Sequence, residues 1–238
     1  MGLRGLRRLE AGRRAERVGR QLPSLHQHFL ETNCTSSTAT TVDDCLSGVN
    51  GTQDPATVDK YKYGGGHMQK HASLLGLGGL DNAALTAEVR SKLGNDFAFS
   101  YTAPQLAGGI QTTAGDYAVF LRKLLVGAAS PLLIAGMLGD DAVCTNPSTC
   151  PTAISNRIDD GTTNESWGYG LGHWIESDPS VGDGSFSSAG AFGFYPWVDQ
   201  SRTHYGVLAR MVATQHAGYI SAECGRLIRK AWVTGIAQ

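Results

Sequence analysis

The stretch Tyr63–Gln69, which reads YGGGHMQ, is the most informative part of this 238-residue chain when it is taken together with Ser187–Gly193, SSAGAFG. The first stretch predicts a tyrosine beside a glycine turn that opens a helix. The second predicts a strand of small residues, and small residues allow backbone N–H groups to come close to a ligand. The second stretch is therefore a candidate for a wall of a ligand site.

Helical patterns surround the first stretch and return at the end of the chain. The clearest pattern follows Thr113–Asp116, which matches a helix capping box, and its apolar residues then recur at helical spacing until Gly127. Another helix is predicted to follow Asp81–Asn82 and to stop at Gly94. The complete set of predicted helices is 67–75, 83–93, 113–126, one that begins at Ser130–Pro131, and 219–235.

A period of two residues replaces the helical period after Tyr169. Tyr169, Leu171, His173 and Ile175 share one face of a predicted strand. A second strand is predicted over 185–195, and a turn at 199–202 leads into a third over 204–212. The short connection favours antiparallel pairing. Helices first, then an antiparallel sheet backed by a terminal helix, predict an α+β fold.

Composition and charge exclude two classes of partner. No stretch has the 18–20 apolar residues of a membrane span, so we expect no integral membrane segment. The net charge is −1, but seven arginines lie in the first twenty residues, and the remainder carries 13 basic and 19 acidic residues. An acidic body is a poor surface for nucleic acid, so no nucleic-acid partner is expected.

The N-terminal segment 1–24 differs in composition from the domain predicted over 25–238. It could be a basic amphipathic helix or transit peptide, a solvated and partly disordered extension, or a sequence foreign to the domain, such as a misassigned start. No apolar run follows the arginines, so the segment is not a secretory signal.

Five cysteines predict local disulfides in an oxidising compartment. Cys34 and Cys45 bracket one polar loop, and Cys144 and Cys150 bracket another, which leaves Cys224 over. Free buried thiols are the alternative, while zinc is disfavoured because neither pair has the spacing of structural zinc sites. His67 and His71 lack the glutamate of a zinc-protease signature. We expect neither a metal nor a cofactor.

With these motifs in place, the chain resembles the serine β-lactamase and penicillin-binding family, in its class C-like and esterase branch. Tyr63-Gly64-Gly65 resembles the family's Tyr-x-Asn motif, and Ser188-Ala189-Gly190 stands where the family has Lys-Thr-Gly or His-Thr-Gly. Further similar segments are Gln105–Tyr117, Trp167–Gly172 and Pro196–Asp199, so the resemblance runs from about Cys34 to the C-terminus.

The resemblance implies a role for each matched residue. Tyr63 would take the proton from the attacking serine, and the Ala191 N–H would donate to the oxyanion. Gly190 would allow close approach of the acyl group. Gly65 and Ser188 would line the substrate site, but they replace the family's asparagine and cation, which favours a neutral ester or amide over a penicillin. The family resemblance and the cysteine pairing also imply an extracellular or periplasmic protein.

One absence limits this interpretation. No serine in the chain has lysine three residues later, whereas the family's nucleophile lies in a Ser-x-x-Lys motif. The chain is therefore predicted to be the C-terminal portion of a β-lactamase-like serine hydrolase, without the first strands and the nucleophile helix. It would be incomplete or inactive alone, or alternatively a non-catalytic binding module or degenerate gene product. Its oligomeric state and its ester or amide substrate are not specified by these residues.

Overall fold

The computed structural model describes residues 39–46, 55–127, 137–155, 158, 164–214 and 216–238. Four α-helices lie in these ranges: α1 Gly66–Ala72, α2 Asn82–Leu93, α3 Ala114–Leu125 and α4 Ala217–Thr234. The strands are β1 Tyr61–Lys62, β2 Phe99–Tyr101, β3 Ile110–Thr112, β4 Val143–Cys144, β5 Ala153–Ser155, β6 Gly168–Gly170, β7 His173–Ile175, β8 Phe186–Ser187, β9 Tyr195–Val198 and β10 Tyr205–Leu208. Short 3₁₀ helices span Asp43–Leu46 and Pro55–Thr57.

An antiparallel six-stranded sheet is the centre of the fold. Its strand order is β10-β9-β8-β7-β6-β4, and two separate two-stranded pairs are formed by β2 with β3 and by β1 with β5. The β1–β5 pair is parallel, whereas β2 and β3 are antiparallel. The predicted combination of helices with an antiparallel sheet is therefore confirmed. The first strands and nucleophile helix that the prediction describes as missing are not tested by these residues.

Helices cover both faces of this sheet at β9. Val198 packs with Leu121 of α3 and with Phe186, while Trp197 belongs to the cluster that contains Tyr219 of α4. Neighbouring residues of a strand point to opposite faces, so α3 and α4 lie on opposite sides. The approach of α4 is close because a Cβ built on Gly225 would lie only 2.2 Å from the ring of Tyr195.

Two arginines of α4 attach the helix to the sheet through a buried ionic network. Arg229 contacts Glu176, with Nη2 2.8 Å from Oε2, and donates from Nε to Asp183 at 2.6 Å. Arg226 donates from Nη2 to Glu165 at 2.9 Å. Glu176 is fully buried and also accepts a hydrogen bond from the Tyr195 hydroxyl. The network compensates the desolvation of these charges by pairing all of them.

The predicted helix starts and stops agree closely with the structure. Asp81 caps α2 by accepting a hydrogen bond from Ala84 N, and Thr113 caps α3 by accepting one from Asp116 N. The predicted helix over 67–75 is observed as α1, which continues into a π-helical turn at Ser73–Leu77. The helix predicted from Ser130–Pro131 and the segment 1–24 lie outside the described residues.

Gln69 on α1 joins the helix to two loops. Its side-chain Nε2 donates to the carbonyl oxygens of Val42 at 3.0 Å and Pro104 at 2.6 Å, and its Oε1 accepts from Leu106 N at 3.0 Å. The residue is buried, so these bonds satisfy backbone groups that water does not reach.

Two predicted strands are wrong because each contains a tight turn. The strand predicted over Tyr169–Ile175 is the hairpin of β6 and β7, in which Leu171 and Gly172 have φ of 47° and 83°. Two successive positive φ values are typical of the two-residue hairpin loop that matches the twist of the strands. The strand predicted over 185–195 is likewise divided into β8 and β9. The predicted turn at 199–202 is confirmed, and the strand after it is shorter than predicted.

The cysteines follow the predicted pairing where the structure describes them. Cys144 and Cys150 form a disulfide with a Cα–Cα distance of 6.0 Å, which indicates an oxidising compartment. Cys34 lies outside the described residues, so its pairing with the buried Cys45 stays a prediction. Cys224 is a free, exposed cysteine on α4.

Among the described residues, no helix has the length and the apolar character needed to cross a membrane.

Candidate functional site

A cavity of about 890 Å³ lies between α1, α3 and the central sheet. Its volume is within the range of about 300–1,000 Å³ that is typical of small-molecule pockets. Most of its walls are apolar. Met68, His71 and Ala72 come from α1, Tyr117, Leu121 and Leu124 come from α3, and Tyr169, Phe186, Pro196 and Val198 come from the sheet.

The first motif borders this cavity through the residues on either side of its tyrosine. Lys62, His67 and Met68 line the cavity, whereas Tyr63 and Gly65 are not among the described lining residues. The half-buried Tyr63 ring instead stacks on Trp174, with 5.1 Å between ring centroids. Gly65 directly precedes α1, as the glycine-turn prediction requires.

The second motif borders the cavity through its first residues. Ser187 and Ser188 line it, and Ser188 N donates to Pro196 O at 3.1 Å. The chain then turns sharply, because Gly193 N donates to Gly190 O at 2.9 Å and Gly193 has φ of 89°. Ala191 is exposed within this turn, on the connection between β8 and β9 rather than on a strand.

The cavity thus brings together the flanks of both motifs, while Tyr63, Gly65, Gly190 and Ala191 lie outside its described lining. Tyr63 and Ala189 do pack against one shared core cluster. The two motifs are consequently neighbours in the fold, and Ser188 is the predicted site residue that lies on the cavity wall itself.

Several cavity residues are uncharged near neutral pH because they are buried. Burial lowers the pKa of His71 and of His173, and the ring Nε2 of His173 accepts a hydrogen bond from Gly139 N at 3.0 Å. Burial raises the pKa of Tyr117, and a hydrogen bond with Ser188 partly opposes that shift. These side chains leave most of the wall neutral, so the cavity suits an uncharged ligand.

Tyr61 is a site residue that the sequence did not single out. It lines the cavity, its side chain is 6% exposed, and its buried hydroxyl has no hydrogen-bond partner within the described structure. Burial raises the pKa of this phenol, so it remains a neutral donor. The sequence signal that could have identified Tyr61 is its position two residues before Tyr63. In a strand, side chains two residues apart point to the same face, so the two tyrosines would be expected on one side.

In the described part of the chain, no group of three or more His, Cys, Asp or Glu side chains is placed to hold a metal ion.

Comparison with protein-family models and with curated proteins finds no match. Among solved structures, the fold is similar to the crystal structure of a protein from Bacteroides dorei described as a "putative beta-lactamase". The TM-score is 0.56 at 20% sequence identity, over 82% of this chain and 64% of that chain. At this identity the similarity concerns the fold, and this chain spans less than two thirds of the neighbour's length. The chain therefore has a β-lactamase-like fold.

Proposed function

We propose that this chain carries part of the active site of a serine hydrolase that acts on a neutral ester or amide through an acyl-enzyme. The nucleophile would come from polypeptide that contains a Ser-x-x-Lys motif, because this sequence has none. The observation that carries the proposal is that residues flanking Tyr63 and Ala191 in the two motifs border one apolar cavity in a β-lactamase-like fold.

The proposed reaction assigns one step to each motif. The serine hydroxyl attacks the substrate carbonyl and gives its proton to the Tyr63 phenolate, while the Ala191 N–H donates to the oxyanion that forms. When the tetrahedral intermediate collapses, Tyr63 returns the proton to the leaving alcohol or amine. Water then hydrolyses the acyl-enzyme, with Tyr63 taking the proton of the attacking water and the Ala191 N–H again donating to the oxyanion. The phenolate requires a nearby cation, a role that the lysine of Ser-x-x-Lys would fill.

The character of the cavity supports a neutral substrate. Ser188 stands where a cation would hold a substrate carboxylate, and His71 and His173 of the wall are neutral near pH 7 because burial lowers their pKa. Lys62 and Asp141 also line the wall, but they carry opposite charges, so together they give no net attraction for an ionised substrate that loses hydration there. Gly65 offers no amide to orient a substrate carbonyl, which also favours an ester over a β-lactam.

The first test compares the chain alone with the chain joined to its coding sequence upstream. A Ser-x-x-Lys motif should be found in one of the upstream frames, and the joined protein should react covalently with a fluorophosphonate probe. The chain alone should not be labelled. Labelling of the chain alone would place the nucleophile within it, and absence of the motif upstream would contradict the hydrolase assignment.

Tyr63→Phe tests the proposed base in the joined protein. We expect kcat for p-nitrophenyl acetate to fall by about 10²–10⁴, because general-base catalysis contributes this much. Tyr205→Phe is the matched control, since Tyr205 lies on β10 and outside both motifs. Equal turnover of the two variants would exclude Tyr63 as the base.

A non-catalytic binding module is the second candidate, and the lack of Ser-x-x-Lys favours it. Such a module would bind a neutral ester in the cavity without hydrolysing it. Trp197 lines the cavity, so binding of p-nitrophenyl acetate should quench its fluorescence with no release of nitrophenol. Saturable quenching without labelling of the joined protein would select this candidate.

A further inference from the structure

One side of the cavity is formed by a short segment that two side chains hold to the central sheet. This rim segment spans residues 137–142 and leads into β4. Its residues in the cavity wall are Met137, Leu138, Asp141 and Ala142. The Gly139 N–H donates to His173 Nε2 at 3.0 Å, and Arg202 Nη2 donates to the Leu138 carbonyl oxygen at 2.8 Å.

The rim segment lies against the sheet with little clearance. A Cβ built on Gly139 would be 3.0 Å from the ring of Phe186, and one built on Gly170 would be 2.6 Å from the carbonyl oxygen of Asp140. Gly139 is half-buried in this contact, so its N–H needs an acceptor from the protein. The imidazole of His173 on β7 supplies that acceptor.

An imidazole can accept this hydrogen bond only while its Nε2 carries no proton. The ring of His173 is then neutral, with its one proton on Nδ1. Burial lowers the pKa of His173, whereas the charge of Asp140 and a hydrogen bond with the Leu171 backbone oppose that shift. The closed position of the rim segment and the neutral state of His173 therefore favour each other.

The other charged groups beside this contact are Asp141, on the rim segment itself, and Arg202. The guanidinium of Arg202 stacks on the ring of Phe186 at 5.1 Å, and the same ring lies edge-on to His173 with 5.9 Å between centroids. Arg202 already donates to Leu138, so it holds the rim segment whatever the charge of His173. His173 is the titrating member of the pair that fixes this segment.

We propose that His173 is a pH-sensitive latch: its neutral ring holds the rim segment against the sheet, and protonation of Nε2 in acid releases the segment. A proton on Nε2 converts the acceptor into a donor, so two N–H groups would face each other across the contact. The proton comes from solvent and returns to it when the pH rises. The latch needs neither hydrolysis nor additional polypeptide, because all of its groups lie in this chain.

The test measures amide hydrogen exchange of the Gly139 N–H by NMR, in the full chain between about pH 4 and pH 8. Since the closed form has the lower His173 pKa, protection should be complete above the ordinary value of 6.5 and be lost as the pH falls through the closed-form pKa. One linked proton changes the protection about tenfold per pH unit within this interval. The Ala222 N–H, on the buried face of α4, should not follow this profile.

Four variants make the result specific. His173→Gln keeps an acceptor oxygen that does not titrate, so Gly139 should stay protected at all pH values of the series. His173→Phe removes the acceptor and should lower the protection about tenfold even at neutral pH. Asp140→Asn removes the charge that favours the imidazolium and should extend the loss to lower pH. His204→Gln changes an exposed histidine and should leave the profile unchanged.

Gly139 protection that stays constant below pH 6.5, or that changes equally in His173→Gln, would overturn the proposal. So would a His173 ring that titrates at or above 6.5, because a closed latch must disfavour the proton. A parallel loss at Ala222 would also count against it, since the whole domain would then be unfolding. Exchange at Gly139 reports on the rim segment and fluorophosphonate labelling on the nucleophile, so failure of one proposal leaves the other unaffected.

Discussion

Replacement of Arg229 by methionine should destabilise the protein strongly. Arg229 is 4% exposed and its guanidinium contacts Glu176, Asp183 and the Tyr195 hydroxyl. Methionine keeps an unbranched apolar side chain but removes the charge. Glu176, which is fully buried, then keeps the hydrogen bond from the Tyr195 hydroxyl, but the cation left beside it is Arg226, whose Nε lies 3.4 Å from Oε2.

The size of the effect follows from the carboxylate that is left behind. Removing one partner of a buried ion pair typically costs about 3–5 kcal/mol, because the remaining charge is desolvated without compensation. Asp183 adds little to this cost, since its side chain is 36% exposed and water can replace the arginine. We therefore expect Arg229→Met to lower the free energy of unfolding by about 3–5 kcal/mol, a large part of the usual 5–15 kcal/mol of a domain.

The effect should also depend on pH in a defined direction. Burial raises the pKa of Glu176, while the charge of Arg229 opposes the shift, so removing Arg229 should raise this pKa further. A carboxyl whose pKa is raised in the folded state contributes most to stability when the pH is below its ordinary pKa of 4.5. This contribution is lost as the pH rises through the folded-state pKa. The deficit of Arg229→Met should therefore grow as the pH rises above that ordinary value.

Urea unfolding monitored by tryptophan fluorescence measures both effects. Lys230→Met on the exposed side of α4 is the matched control and should change stability by less than about 0.5 kcal/mol. The double variant Arg229→Met/Glu176→Gln should recover about 1–3 kcal/mol of the loss, because the unpaired charge is gone. A loss below about 1 kcal/mol at neutral pH, or a double variant less stable than the single one, would refute the role given to the network.

Three further changes test other parts of the fold. Gln69→Leu should lower the free energy of unfolding in urea by about 2–4 kcal/mol, because the backbone groups that bind the Gln69 amide are left unsatisfied. Gln111→Leu, on the exposed β3, is the control, and an equal loss in the two variants would contradict this role. Cys144→Ser/Cys150→Ser should lower stability by about 2–3 kcal/mol through lost loop closure, and dithiothreitol should destabilise the unmodified protein more than it destabilises the variant. Although burial opposes the shift, hydrogen bonds from Ser201 and from the backbone of His204 hold the pKa of Asp199 below its ordinary value of 3.8. The contribution of the ionised Asp199 to stability is present above that value and is lost as the pH falls through the folded-state pKa. Thermal unfolding should therefore show that Asp199→Asn is less stable than the parent protein at pH 7, and that the difference is smallest at the lowest pH.

The helices could be predicted from the sequence because their signals are local. A cap at Thr113, an apolar period of 3.6 and a glycine after the last turn together fix α3. The same holds for α2, whose cap Asp81 and terminator Gly94 were both identified. The short disulfide Cys144–Cys150 was predictable for a similar reason, since its cysteines are 6 positions apart in the sequence.

The strands were less predictable because a period of two continues across a tight hairpin. Leu171 adopts a positive φ that leucine rarely takes, and only the pairing of β6 with β7 stabilises it there. The turn from Gly190 to Gly193 is likewise closed by a hydrogen bond between these two residues, on the connection of the paired strands β8 and β9. This turn removed Ala191 from the predicted strand.

The sequence by itself determined the class of fold and the two motif segments, because capping residues, glycine turns and apolar periods act over a few neighbouring residues. The tertiary structure alone decided which faces meet. It placed Ser188 and Tyr61 in the lining of one cavity, buried Glu176 between two arginines, and left Leu227 and Trp232 of α4 exposed. These outcomes depend on contacts between residues far apart in the chain, and such contacts leave no local pattern in the sequence.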